Sequence, residues 1–191
     1  MPSSHFRNIP VVIQALRALN PRRVLDVGVG CGKYGLLARE YLEVWGHEFE
    51  PWRKNAIIVD GIEVFEPYIT AVHRAVYDHL FVGEAVSVLA GMPARSYDVV
   101  VAVEVLEHFD QEQGAIFLSQ LARVSRAMIL TTPTKYKRTS AAFGNSYEVH
   151  QTVWDRDMLA AYGEVAVFQQ DASLIASVTF PDEPLKEGVV G

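Results

Sequence analysis

At 191 residues the chain is sized for one domain around a single core, and no apolar run reaches the roughly 20 residues that span a bilayer. Half of the residues are hydrophobic and 21% are charged, a globular composition, and the net charge of −6 excludes the basic field that nucleic-acid binding requires. Lys135-Tyr136-Lys137-Arg138 is a local basic cluster and reads as a solvated loop, while the opening Met1–Arg7 has no apolar signal-peptide core and the lone Cys31 has no disulfide partner. A cytoplasmic protein with no membrane segment is expected, organised as one domain over 1–191.

Taken in order, Ile9, Val12, Ile13, Leu16 and Leu19 fall at helical spacing, with Asn8 as the expected N-cap and Asn20-Pro21 as the stop. This lead-in helix, within 1–22, precedes the short apolar run Val24–Val27, a buried strand that carries one carboxylate, Asp26. Gly28, Gly30 and Gly32 follow, and then a helical pattern. Alternating glycines let the backbone take positive φ and let a ligand approach without meeting a Cβ. Cys31, inside the turn, reads as a small filler. Two cofactor classes use such a turn. Gly30-x-Gly32-x-x-Gly35 matches the dinucleotide fingerprint, but Asp26, two residues before the first glycine, would then sit close to a pyrophosphate dianion. A carboxylate there suits a cation, and S-adenosylmethionine carries a sulfonium and an ammonium and no phosphate. Asp26-x-Gly28-x-Gly30-x-Gly32 resembles the first motif of the class I S-adenosylmethionine-dependent methyltransferases.

The next helix carries Leu36, Leu37, Tyr41 and Leu42. Glu43–Asn55, with Trp45 and Trp52, is long for a helix-to-strand connection and reads as a lid or a packing flap. Ala56–Val64 is the second strand. Glu63 near its carboxyl end can accept hydrogen bonds from both hydroxyls of a ribose, and it also falls where the resembled family places its ribose-binding acid. Glu66-Pro67-Tyr68 opens a helix with Ile69, Val72 and Val76 inward, and Leu80–Val82 is a third strand. Gly83-Glu84-Ala85 resembles the family's Gly-Asp-Ala segment, which makes Glu84 the match for the acid that meets the adenine amino group. Tyr97–Val103 is a continuous β-branched run of the kind buried on both faces of a parallel sheet, and it is expected beside the first strand.

Glu104-Val105-Leu106-Glu107-His108-Phe109 follows at the carboxyl end of that strand, where open α/β sheets place their ligands, and Glu104 is assigned to the cofactor. A helix with Phe117, Leu121 and Val124 inward leads to the strand Ala127–Thr132, closed by Pro133. Ser125-Arg126-Ala127 stands where the family often has a Pro-Gly-Gly turn. Residues 134–150 form a polar loop expected to cover the acceptor, and Trp154-Asp155 introduces a short helix. Glu164–Gln169 and Leu174–Phe180 read as a hairpin joined by Gln170–Ser173, and Pro181–Gly191 as a loose tail.

The resemblance extends over nearly the whole chain. It implies an α/β, Rossmann-like three-layer sandwich with a seven-stranded, mostly parallel sheet in the order 3-2-1-4-5-7-6 and strand 7 antiparallel. It also implies S-adenosylmethionine as cofactor and a small-molecule acceptor, through an O-, N- or C-nucleophile, with similarity to the branch that has Leu-Glu-His after strand four. In-line methyl transfer rests largely on positioning, and a base is needed only where the acceptor's proton must leave. His108 is the candidate base; the alternative is a histidine that caps the following helix or bonds beneath the cofactor. Glu104, Glu107, His108 and His150 together resemble the metal-binding set of small-RNA 2′-O-methyltransferases, and such a mixed set could hold one divalent ion against vicinal hydroxyls. Leu-Glu-His also occurs in relatives that bind no metal. Two other classes stay open: a methyltransferase-like domain that binds cofactor or partner without turnover, and a nicotinamide oxidoreductase, which Asp26 and the terminal hairpin disfavour.

Overall fold

The β-branched run Tyr97–Val103 (β4) is buried almost throughout and lies beside Arg23–Val27 (β1) at the centre of the sheet. β1 pairs in parallel with Ile58–Glu63 (β2), and β2 with the edge strand Leu80–Val82 (β3). On the other side β4 pairs in parallel with Ser125–Pro133 (β5). Glu164–Gln170 (β6) and Ser173–Thr179 (β7) form the hairpin, and β7 inserts antiparallel between β5 and β6. The order is therefore 3-2-1-4-5-7-6, as the resemblance implies. The computed structural model describes residues 3–45, 56–136, 140–141, 144–170 and 172–180.

Alternation along the strands divides the core in two. Val24, Val99 and Val101 point to the layer of Asn8–Leu19 (α1), Lys33–Arg39 (α2) and Ala71–Val76 (α3). Leu25, Val100 and Ala102 point to the layer of Ala85–Ala90 (α4), Gln111–Val124 (α5) and Arg156–Ala160 (α6). Phe117, Leu118 and Leu121 of α5 are fully enclosed, each contributing about 1.5–3 kcal/mol of apolar burial. Trp154 packs over Gly114 on α5, where any Cβ would run into its indole. No described helix is long and apolar enough to cross a membrane.

Three local expectations are corrected. Arg7, not Asn8, precedes α1, and the Asn8 side chain turns inward to donate to Glu104 Oε1 at 3.4 Å and Ser173 Oγ at 3.3 Å. Segment 66–76 is not one helix. Glu66–Tyr68 makes a single turn, Ile69 is extended, and Thr70 restarts the chain with a capping box in which His73 takes the usual Glu position; Val72 is left half exposed. After α2 the chain widens into a π-type turn over Glu40–Val44, and Trp45 is 60% exposed rather than pinned to the body. Trp52, Lys137, Arg138 and the tail 181–191 lie outside the described residues.

Candidate active site

β1 runs into Gly28, Gly30 and Gly32 with φ of 73°, 54° and 80°, a region that other residues rarely enter. At Gly28 a Cβ would also come within 2.6 Å of Val105 Cγ2. The turn is held from several sides. Gly28 N–H donates to Ile62 O at 2.9 Å, Gly30 N–H to Glu63 Oε2 at 3.0 Å, and the Gly30 carbonyl accepts from His73 Nε2 at 2.9 Å. His73 is fully buried, and its Nδ1 accepts the Thr70 N–H at 3.0 Å, which leaves the ring proton on Nε2. His73 was not singled out in the sequence, and no spacing there linked it to Gly30.

Asp26 does not meet the expectation of a carboxylate facing the cofactor's cation. It points behind the turn, where Oδ2 accepts the Gly35 N–H at 3.1 Å and the Tyr77 hydroxyl at 2.6 Å. Burial raises its pKa from 3.8 to about 6 against those two donors. The Tyr77 ring fills the space beside Gly35 and Gly61, and burial together with the neighbouring Asp26 pushes its phenol well above the ordinary range. Gly32 is likewise set back, as the left-handed residue that opens α2.

In front of the turn lies a cavity of about 540 Å³ at the carboxyl ends of the parallel strands, a size suited to a small ligand. Gly28 and Gly30 form part of its floor, and the expected Glu63, Glu84 and Glu104 all reach it. Glu63 is held rigidly: Oε2 accepts from Gly30 N–H, and Oε1 from Phe65 N–H at 2.9 Å. Burial raises its pKa, and those two N–H donors oppose the shift. Glu84 is exposed and accepts from the Tyr147 hydroxyl at 3.4 Å. Glu104 takes a left-handed φ of 56° at the end of β4, and its Oε1 accepts from Thr131 Oγ1 at 2.6 Å.

The single turn Leu106–His108 continues from Glu104, and the segment 149–152 is laced to it. Gln151 and Thr152 N–H both donate to Glu107 O, at 2.8 and 3.3 Å, Gln151 Nε2 donates to His108 O, and His108 Nδ1 donates to Val149 O at 3.3 Å. In the neutral ring that bond places the proton on Nδ1, and the Glu104 backbone also interacts with the imidazole. Burial lowers its pKa. The same lacing brings the His150 ring to 5.1 Å from the His108 ring. Glu107 is 1% exposed, and neither of its oxygens has a hydrogen-bond partner among the described residues. Burial, reinforced by the charge of Glu104, raises its carboxyl well above the usual range.

The four-residue metal set expected from the sequence contracts to three. Ligating atoms of Glu107, His108 and His150 lie within 4.8 Å of one another, and Glu104 falls outside that group, its Oε1 accepting from Thr131 and Asn8. Several wall residues were not singled out in the sequence. Tyr68 and Asn145 both donate to Glu148 Oε1 at 3.2 Å, closing the cavity from the 134–150 side, and Ser4 and Lys33 close it near the start of α1.

Sheet order, inserted β7 and a cavity in front of a glycine turn together make this the class I methyltransferase fold. Solved structures with the same fold include the N-terminal domain of EvdMO1 in the presence of SAH and D-fucose, at 16% identity over 94% of this chain and 85% of that one, TM-score 0.64. A SAM-dependent methyltransferase from Archaeoglobus fulgidus matches at 14% identity over 91% of each chain, TM-score 0.63. The methyltransferase domain of bacterial CtHen1-C matches at 18% identity over 91% of this chain and 96% of that one, TM-score 0.60. No protein-family model and no curated protein matches the chain.

Proposed function

We propose that the protein is an S-adenosylmethionine-dependent methyltransferase acting on a small-molecule acceptor. The charge of the cavity carries this reading. Its walls hold five carboxylates, Glu63, Glu84, Glu104, Glu107 and Glu148, and among the described residues one lysine and no arginine. Such a wall repels the pyrophosphate of a dinucleotide and favours a cationic cofactor without phosphate. The residues present fit that group: Gly28 and Gly30 leave its path clear, Glu63 is oriented to accept ribose hydroxyls, and Glu84 stands at the adenine end. When bound, S-adenosylmethionine supplies a methyl group on a positively charged sulfur.

The chain's part is to position the acceptor, exclude water and accept a proton. His108 Nε2 is the acceptor for that proton, oriented by the bond from Nδ1 to Val149 O. Calorimetric titration with S-adenosylhomocysteine tests the cofactor. Micromolar binding followed by turnover in an acceptor screen supports the reading; absence of binding by the intact chain overturns it. Binding without turnover on any acceptor favours the non-catalytic alternative.

A second reading, metal-assisted transfer to vicinal hydroxyls, is favoured by Glu107. A buried carboxylate with no partner is costly unless it takes a proton or a cation, and His108 and His150 stand within ligand distance of the same point. That mixed oxygen and nitrogen set suits Mn²⁺ or Zn²⁺. Mn²⁺ titration followed by electron paramagnetic resonance should show one site lost in E107Q and in H150A; a wild type with no bound Mn²⁺ or Zn²⁺ leaves His108 as a metal-independent base.

A further inference from the structure

Glu63 and His73 hold one residue of the glycine turn from two sides. Gly30 N–H donates to Glu63 Oε2 at 3.0 Å and the Gly30 carbonyl accepts from His73 Nε2 at 2.9 Å, so both peptide groups that flank its left-handed Cα are fixed. His73 is fully buried on α3 and is not part of the cavity wall. Its other nitrogen is used as well: Nδ1 accepts the Thr70 N–H at 3.0 Å and lies 3.0 Å from Thr70 Oγ1. The imidazole stacks on Tyr77, with 6.1 Å between centres and 18° between planes, and a Cβ at Gly32 would meet its Cδ2 at 3.6 Å. A helix cap alone does not call for histidine. Glutamate at this position would accept the Thr70 N–H but has no hydrogen for the Gly30 carbonyl, whereas a neutral imidazole accepts at one end and donates at the other.

We infer that His73 is a positioning residue for the cofactor, acting through Gly30 on the Glu63 carboxylate. This inference rests on the cofactor reading above, and it adds a residue outside the cavity that sets the geometry inside it. The chain from Glu63 to His73 closes a circuit: Glu63 Oε1 accepts the Phe65 N–H, His73 accepts the Thr70 N–H, and His73 donates to Gly30, whose own N–H returns to Glu63. Glycine has no side chain to restrain its dihedral angles, so these two bonds do that work at Gly30. Without the Nε2 donor the Gly30 carbonyl loses its partner, the residue is free to rotate, and Glu63 Oε2 loses the fixed N–H that aims it.

Calorimetric titration of the full chain with S-adenosylhomocysteine tests this in two variants that each keep one end of the imidazole. In H73Q the amide NH₂ stands near the place of Nε2 and can donate to Gly30; in H73N the shorter side chain keeps an acceptor for the Thr70 N–H and does not reach Gly30. H73Q should stay within about threefold of wild type, and H73N should lose about tenfold. In an E63A background H73N should cost less than about twofold more, because the route through Glu63 is already cut. The wild type gives a readout that needs no variant: nitrogen-15 resonances of the His73 ring should show the neutral tautomer protonated on Nε2. An H73N protein that is less stable in urea yet binds with wild-type affinity when folded would make His73 a helix cap alone. That result, an H73Q loss as large as that of H73N, equal H73N losses with and without Glu63, or a ring protonated on Nδ1 each overturns the inference while the cofactor reading stands. A wild type that binds no S-adenosylhomocysteine overturns both.

Discussion

Tyr77 and Asp26 form a closed pair behind the glycine turn, the phenol donating to Oδ2 at 2.6 Å, with neither side chain part of the cavity wall. The motif's acid therefore bears on the glycine turn through the backbone. It holds the Gly35 N–H from below, and so fixes the start of α2 relative to β1. Y77F should lower stability by about 1–3 kcal/mol, because one donor is removed from a buried carboxylate. Urea unfolding measures this, and unchanged stability would mean that the bond contributes nothing net. Affinity for S-adenosylhomocysteine should stay within about threefold in the folded variant, the contact being indirect.

Asp26 also predicts a pH dependence. Its pKa is about 6 in the fold against 3.8 in the free side chain, so the native state holds the extra proton between those values. Stability from this group is greatest below pH 3.8, falls as pH rises through that window, and levels off above about 6. D26N removes the titration. The variant's stability relative to wild type should therefore improve on going from pH 4 to pH 7, by up to about 3 kcal/mol. A pH-independent difference would show that Asp26 titrates normally.

Glu63 is read by its two backbone donors. Because Gly30 and Phe65 N–H groups take one oxygen each, E63Q places an amide NH₂ against an N–H and should fail almost as badly as E63A. Both should weaken S-adenosylhomocysteine binding at least about tenfold. Glutamine at full affinity would return Glu63 to a turn-stabilising role.

H108A should lower turnover while leaving cofactor affinity within about twofold, if the imidazole handles the acceptor's proton. Burial lowers the pKa of His108, so its neutral, proton-accepting form persists below the ordinary histidine range. The acid limb of the wild-type rate profile should fall below pH 6.5 and disappear in the variant's residual activity. An acid limb that survives H108A assigns the proton to another group.

Much of this architecture was legible in the sequence because it rests on local pattern. The β-branched Tyr97–Val103 and the short Leu80–Val82 are strands at the bounds read from the sequence; in the hairpin β6 runs one residue further, to Gln170, and β7 starts and ends one residue earlier, at Ser173 and Thr179. The glycine turn and Glu63 were legible for the same reason, since positive φ and a strand-end acid are local properties. What escaped were partnerships across the chain. Tyr77 reaches Asp26 over 51 residues, His73 reaches Gly30 over 43, and Asn8 reaches Glu104 over 96; no spacing rule encodes such pairs. Asn8 looked like an N-cap because asparagine favours that position, but a buried acceptor on another element won its side chain. Asp26 looked cofactor-facing because its charge suits a cation, and only the packing of Tyr77 shows which way it turns.

The placement of α1 bears on how the chain is made. Val12, Ile13 and Leu16 share a core with Ile129 of β5 and Ile175 of β7, and the Asn8 side chain donates to Ser173 at the start of β7. During synthesis this helix emerges well before either of those strands; it can meet β1, α2 and β4 first, but the part of its apolar face that packs on Ile175 stays uncovered until β7 has slipped between β5 and β6. The last strand therefore completes the seat of the first helix. A ribosome-stalled chain that ends before β7 should leave α1 accessible to protease, and release of the full chain should protect it.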